Sequence, residues 1–334
     1  MKVGIIGAGS FGTALSLVLN QNEHEVSCWS FEKEIVEEIK SKGTNEKYLP
    51  GVNIPQNINM ISSLPETVNG KDVILVAIPS QVVRDVLIKM KNFISKDALW
   101  VSVAKGIENG SLLRVTQVIN QVAKIDNSKI VALSGPSHAE EVSRNIPTAI
   151  VSASSSMNSA EMIQKIFMTP YLRVYASTDI IGVELGGALK NIIALAAGIC
   201  DGAGFGDNTK AALITRGLVE INRMGVKLGA QPNTFAGLSG MGDLVVTCMS
   251  RHSRNRYVGE QIGKGRKLDD ILNEMAMVAE GVKTTKSAHE LSQKEGVEMP
   301  ITEQVYSTLF ENKSPVEAMQ DLMTRQSKSE DWGN

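Results

Sequence analysis

The sequence predicts a chain in two parts, an α/β domain built on a parallel sheet over residues 1–178 and an all-helical domain over residues 179–334. Three observations predict it. A short apolar strand pattern runs straight into Gly7-Ala8-Gly9-Ser10-Phe11-Gly12 and then into an apolar-periodic helix. Continuous apolar runs of strand length then alternate with turn and helix signals, as buried parallel strands do. Near Thr178 that alternation stops and helical periodicity takes over.

The first strand is Lys2 to Ile6, and the glycine pattern after it has three separate physical reasons. Gly7 allows the tight turn, Gly9 lets the backbone approach a pyrophosphate, and Gly12 permits close packing of helix on strand. The helix that follows, TALSLVLNQ, presents free N–H groups and its positive dipole end to the phosphates. A second strand, HEVSCWS, arrives in the expected order, which makes the half a dinucleotide-binding domain of the Rossmann type. Beyond Trp29, an acid would hold the ribose hydroxyls of NAD and an arginine would accept the extra phosphate of NADP. The chain offers Ser30, Phe31, Glu32 and Lys33, whose charges argue in opposite directions, and Glu32 also fits the solvated face of the next helix, EKEIVEEIK. Cofactor choice, NADPH or NADH, stays open.

Lys42 to Gln56 is a loop punctuated by glycine and proline. Asp72 to Ile78 is a central strand, followed by a helix from Gln81, and Ala98 to Val103 is the next strand. Ligands on open parallel sheets bind outside the carboxyl ends of strands, where Lys105 falls; an ordinary surface lysine in a turn is the alternative. The strand KIVALSGP places Gly135 and Ser137 at another carboxyl end. His138 fits a general base beside Glu140 or a loop residue capping a helix. Thr148 to Ala153 and Leu172 to Ala176 are the last strands, with a serine-rich turn at 154–156.

The helical half begins with Ile180 to Gly204, in which Lys190 is the only charge between Glu184 and Asp201. Leu185, Leu189, Ile192, Ala196 and Ile199 form one stripe, while Gly186, Gly187, Ala194, Ala197 and Gly198 share the other face with Lys190. A face without bulk invites close approach of another backbone or a ligand. Lys190 would then sit in a partly dry space that lowers its pKa toward proton-transfer chemistry, unless it snorkels out along the helix. Helical patterns follow at 208–228, 268–278, 284–293, 302–311 and 315–323. Two loops stand out among them. GLSGMGD leads to Asp243 at a helix start, where capping alone would explain the acid. RHSRNRY, residues 251–257, suits a solvated face, a nucleic-acid patch or the binding of a single phosphate.

At 334 residues and 43% apolar content the chain buries a full core, and a formal net charge of −2 gives no pull toward nucleic acid or anionic membrane. No signal-peptide pattern follows Met1, and the apolar run from Asn191 to Cys200 is short of a bilayer span. Cys28, Cys200 and Cys248 are spaced as buried free thiols rather than as a disulfide or metal site. A cytoplasmic enzyme with a small-molecule substrate is expected, with no metal, no nucleic acid and no integral membrane segment.

Taken together, GAGSFG, VAIPSQ, VAKGIE, SGPSHAEE, ELGGALKNIIALAAG, GLSGMGDL and SRNRYVG, in that order, closely resemble the NAD(P)-dependent glycerol-3-phosphate dehydrogenase family of bacteria. The resemblance covers essentially the whole chain. It implies interconversion of dihydroxyacetone phosphate and sn-glycerol 3-phosphate, chiefly to supply glycerol phosphate for phospholipid synthesis. It further implies a Rossmann-type domain followed by a helical one. By resemblance, Lys190 is the proton donor and acceptor, with Lys105 and Asp243 beside it in the catalytic set. Gly135, Ser137, Ser253, Arg254 and Asn255 match substrate contacts, as do Lys105, Lys190 and Asp243. Ser10, Phe11, Phe31, Tyr48, Lys105, Ala139, Arg254 and Glu280 match cofactor contacts, alongside Gly7, Gly9 and Gly12. The chain departs from relatives that use NADPH, which tend to carry arginine or histidine near Phe31. The competing expectations are another two-domain dehydrogenase acting on a hydroxy acid or acyl-CoA, and a nicotinamide-sensing binding protein without catalysis. A homodimer through the helical half is the remaining partner expectation.

Overall fold

The computed structural model describes residues 1–327 and 329–330; residues 328 and 331–334, the end of the expected helical domain, lie outside the described residues. The chain divides into two compact units, Met1–Ala104 with Arg114–Val183, and Lys105–Leu113 with Glu184–Asn334. The exchange falls at Val183 and Glu184, a few residues past the expected Thr178. The first turn of the long helix contributes Val183 to a small core with Ala132 and Ala153 of the sheet unit. The segment Lys105–Leu113, expected with the sheet, belongs to the helical unit.

In the sheet unit the elements are β1 (Lys2–Ile6), α1 (Ser10–Gln21), β2 (Glu25–Trp29), α2 (Lys33–Lys42), β3 (Asn59–Ile61), α3 (Leu64–Val68), β4 (Val73–Val76), α4 (Val83–Met90) and β5 (Leu99–Ser102). They continue as α5 (Val115–Ala123), β6 (Ile130–Ser134), α6 (Ala139–Val142), β7 (Thr148–Ala153), α7 (Met157–Phe167) and β8 (Leu172–Ser177). The sheet order is β3-β2-β1-β4-β5-β6-β7-β8. Order reverses between β1 and β4, so their carboxyl ends form the crevice where such sheets take ligands. The central strands are buried on both faces, as their unbroken apolar runs require: Val73, Ile74, Leu75 and Val76 are wholly inaccessible. The sheet departs from a purely parallel one at a single join, where β6 and β7 run antiparallel. The connection between them carries only the four-residue α6, too little helix to recross the sheet.

The helical unit contains α8 (Ile180–Ala203), whose first turn lies in the sheet unit, then α9 (Asp207–Lys227), α10 (Pro232–Phe235), α11 (Asp243–Met249), α12 (Arg254–Gly263), α13 (Leu268–Glu274), α14 (Glu280–Glu295), α15 (Pro300–Phe310) and α16 (Pro315–Met323). By length and composition α8 would cross a bilayer, yet 89% of its most apolar window is buried inside the fold, so it is a core helix. Its glycines explain how it is enclosed. A Cβ on Gly198 would stand 2.0 Å from the Arg256 carbonyl oxygen, and one on Gly259 of α12 would stand 2.0 Å from the Leu195 carbonyl oxygen. Gly202 and Gly263 repeat the arrangement one turn on. Backbone thus lies on backbone, and the bulk-free face expected of this helix is filled by another helix.

Candidate active site

The sheet unit carries the glycine turn between β1 and α1. Gly7 has φ +116°, and a Cβ there would meet the Ala77 carbonyl oxygen at 2.6 Å. Gly12 is closer still, since its Cβ would stand 1.9 Å from the Gly7 carbonyl oxygen. Gly9 differs: a Cβ would meet no protein atom within 4 Å. Two glycines are therefore required by the chain itself, and the third leaves open space where a bound group approaches backbone at the start of α1. That is the fit a dinucleotide pyrophosphate needs. Ser10 is buried at the helix start, and Phe11 packs against the sheet core.

At the end of β2, Phe31 is 80% exposed. Glu32 takes Lys47 as an ion partner and accepts a hydrogen bond from the Tyr48 hydroxyl. These bonds hold its carboxyl below the ordinary range despite partial burial. Gly135, φ +137°, sits against Ile150, and its carbonyl accepts the Ser137 hydroxyl at 2.9 Å. His138 stands at the N-cap position of α6 and makes no side-chain cap there, while Ala139 begins that helix and is buried.

The helical unit carries a charge triad centred on a buried acid. Asp243, 1% exposed, receives Lys105 Nζ on Oδ2 at 2.7 Å and Lys190 Nζ on Oδ1 at 2.6 Å. Lys190 does not snorkel; it is 5% exposed and also donates to the Thr247 hydroxyl. That hydroxyl in turn donates to the Asp243 carbonyl oxygen at 2.6 Å. Burial drives the Lys190 pKa down, attraction to Asp243 opposes this, repulsion by Lys105 assists it, and the outcome is about 8. Burial alone would raise the Asp243 carboxyl, but the two ammonium groups overcome it and hold it low. The arrangement thus pairs a buried lysine whose pKa is brought down to about 8 with an acid held in its ionised form.

Sequence reasoning missed Thr247 and Asn191. Thr247 lies one helical turn after Asp243, a spacing that places both on one face of α11. Asn191 donates to the Lys105 carbonyl oxygen at 2.9 Å and accepts from Asn255 Nδ2 at 2.9 Å. Asn255 Oδ1 accepts from the Gly281 N–H at 2.9 Å, so its amide ties α8, α12 and α14 together. The segments read as loops are largely helical: GLSGMG closes into one π-helical turn over Leu238–Gly242, and Arg254 and Asn255 form the first turn of α12. Ser253 caps α12 by accepting the Arg256 N–H. Of the three arginines, Arg256 is held by Asp201 at 2.7 Å. Arg254 is exposed at the helix start, where N–H groups and dipole favour an anion. Glu280 is the first residue of α14, an acid at a helix N-terminus.

The chain is similar to known proteins along most of its length. Residues 2–160 match the model of the NAD-dependent glycerol-3-phosphate dehydrogenase N-terminus, and residues 179–320 that of its C-terminus. A glycerol-3-phosphate dehydrogenase, NAD(P)+, of Chlorobium phaeobacteroides is 52% identical over 99% of this chain and 100% of its own length. One from Thermoanaerobacter sp. is also 52% identical over 99% of both chains. The crystal structure of glycerol-3-phosphate dehydrogenase from Coxiella burnetii superposes with a TM-score of 0.93 at 37% identity, covering 97% of this chain and 99% of its own.

Proposed function

The chain belongs to the NAD-dependent glycerol-3-phosphate dehydrogenase family, and we infer that its Lys105–Asp243–Lys190 triad carries the proton chemistry of that reaction. The enzyme is an NAD(P)-dependent oxidoreductase that interconverts dihydroxyacetone phosphate and sn-glycerol 3-phosphate. When bound, the nicotinamide supplies or accepts a hydride. The chain's own residues do the rest. Gly7, Gly9 and Gly12 cradle the dinucleotide phosphates, with Ser10 and Phe11 opening α1 beside them and Phe31, Tyr48 and Ala139 as further cofactor contacts. Arg254, Asn255 and Ser253, at the start of α12, hold the substrate phosphate, with Gly135 and Ser137 as further substrate contacts. Binding energy at the phosphate, away from the reacting carbon, then fixes the position of the C2 carbonyl.

As negative charge grows on the C2 oxygen, Lys190 donates its proton and Lys105 stabilises the charge electrostatically. Asp243 accepts from both ammonium groups and so positions them. In the reverse direction neutral Lys190 takes the proton from the C2 hydroxyl, which a pKa of about 8 makes accessible near neutral pH. The observation that carries the reading is the placement of a buried lysine on an acid shared with a second lysine. A cytoplasmic location and a supply of glycerol 3-phosphate to phospholipid synthesis belong to the same reading; the three buried unbridged thiols favour a reducing compartment.

The test is the initial rate of reduced-cofactor consumption with dihydroxyacetone phosphate in wild type and in Lys190→Ala. The variant is expected to lose about 10²–10⁴ in turnover while still binding cofactor. Near-normal turnover would remove Lys190 from its role.

A further inference from the structure

We propose that Glu32, fixed by Lys47 and Tyr48, is the residue that selects NADH over NADPH in this enzyme, by receiving the adenosine ribose hydroxyls and excluding a 2′-phosphate. The proposal rests on the glycine turn binding a nicotinamide dinucleotide, as inferred above. Glu32 stands twenty residues beyond Gly12, at the carboxyl end of β2, where this fold reads the ribose.

The neighbourhood is rigidly tied to the phosphate cradle. The Gly7 N–H donates to the Trp29 carbonyl oxygen at 3.0 Å, joining the turn to the end of β2. Asn45, wholly buried, donates from Nδ2 to the Ala8 carbonyl oxygen at 2.9 Å and to the Thr13 hydroxyl at 3.0 Å. Its own carbonyl accepts the N–H groups of Tyr48 at 3.2 Å and Leu49 at 2.8 Å. The loop carrying Lys47 and Tyr48 is therefore pinned to the same turn that Gly9 leaves open. Glu38 of α2 also accepts the Glu46 N–H at 2.9 Å, closing the loop onto the helix that Glu32 precedes.

The chemistry follows from the donor inventory. An ionised carboxylate has about four acceptor positions. Lys47 takes one on Oε2 and the Tyr48 hydroxyl one on Oε1, so each oxygen retains acceptor capacity for a ribose hydroxyl. Both partners favour the charged form, which keeps the acid ionised and oriented before cofactor arrives. A 2′-phosphate at that place would meet this carboxylate with like charge, and Lys47, a cation beside it, is already paired with the acid. Removal of the acid reverses this: Lys47 and Tyr48 would then present an ammonium and a hydroxyl to the phosphate.

The experiment is direct titration of NADH and NADPH binding by cofactor fluorescence, in wild type, Glu32→Ala, Glu32→Gln and the double variant Glu32→Ala, Lys47→Ala. Melting temperatures confirm folding, and steady-state rates with dihydroxyacetone phosphate are measured alongside. Wild type is expected to bind NADH at least about tenfold more tightly than NADPH. Glu32→Ala shifts the ratio by about 10²-fold toward NADPH, with Glu32→Gln intermediate, and further loss of Lys47 removes about tenfold of the new NADPH affinity. Wild type preferring NADPH, or a ratio within threefold of wild type in folded Glu32→Ala, would overturn the proposal. No binding of either cofactor would defeat the cofactor reading itself. Intact binding with no turnover would strike the substrate reading and leave the Glu32 assignment to its binding arm.

Discussion

Replacing Asp243 by asparagine keeps the shape of the side chain and removes the one charge between two ammonium groups. Its oxygens stand 2.7 Å from Lys105 and 2.6 Å from Lys190, in a site where Asp243 is 1% exposed. At an effective dielectric of about 20, each pair carries roughly 6 kcal/mol of gross attraction, most of it offset by desolvation. Removing one partner of a buried pair typically costs about 3–5 kcal/mol. The least costly response is proton release from Lys190, already lowered to about 8 by burial. Since about 1.4 kcal/mol moves a pKa by one unit, a loss of that size corresponds to a fall of about two to three units in the Lys190 value. At pH 7 the lysine then becomes largely neutral and ceases to be a proton donor. The reduction of dihydroxyacetone phosphate should fall about 10²-fold at pH 7, and the alkaline limb of its pH profile should move toward acid. The assay is kcat against pH with saturating substrate, with thermal melts to show the fold intact. A folded Asp243→Asn enzyme within about threefold of wild type at pH 7, with its limb unmoved, would refute the reasoning.

Two further consequences concern the helical unit itself. Glu220, 3% exposed, accepts the N–H groups of Ile301 and Thr302 at the start of α15, and burial raises its pKa to about 7 in spite of these bonds. A carboxyl raised in the folded state stabilises fully below its unfolded pKa and loses that contribution as pH rises through 7. Wild type should therefore lose about 2 kcal/mol more than Glu220→Gln between pH 5.5 and 8. Urea unfolding at both pH values checks this, and equal losses would discount Glu220. Gly259→Ala gains about 1 kcal/mol of helix propensity, yet its methyl would stand 2.0 Å from the Leu195 carbonyl oxygen. Separation of α8 and α12 should outweigh the gain and leave a net loss of about 3 kcal/mol, seen as a lower melting temperature; an unchanged or higher one contradicts the packing account.

Strands that lie inside the sheet were readable because burial on both faces writes an unbroken apolar run, as in Val73–Val76. Edge strand β3 escaped because Asn59-Met60-Ile61 is too short to show any alternation. The helix α12 escaped for a different reason. Its packing face is glycine rather than leucine, so RNRYVGEQIG carries little apolar period although Gly259 and Gly263 are in contact with backbone. The same glycines on α8 were legible, because there they interrupt an otherwise apolar helix around a single lysine. Lys190, Lys105 and Asp243 were nameable as one set only through the family resemblance; spacing and periodicity alone could not bring them together, because Lys105 and Asp243 are 138 residues apart in sequence. Thr247 carried only the weak signal of its spacing from Asp243, and the charge of Lys190 could be assigned only once its burial was known.

The account turns on Lys190 as the group that moves the proton, and the most direct test is the pH dependence of sn-glycerol 3-phosphate oxidation. In wild type, kcat should rise with pH and level off through an apparent pKa near 8, the value burial and its two neighbours set for Lys190. In Lys190→Ala the residual rate should lack that limb. A wild-type profile flat from pH 6 to 10, or the same limb surviving in Lys190→Ala, would contradict the assignment.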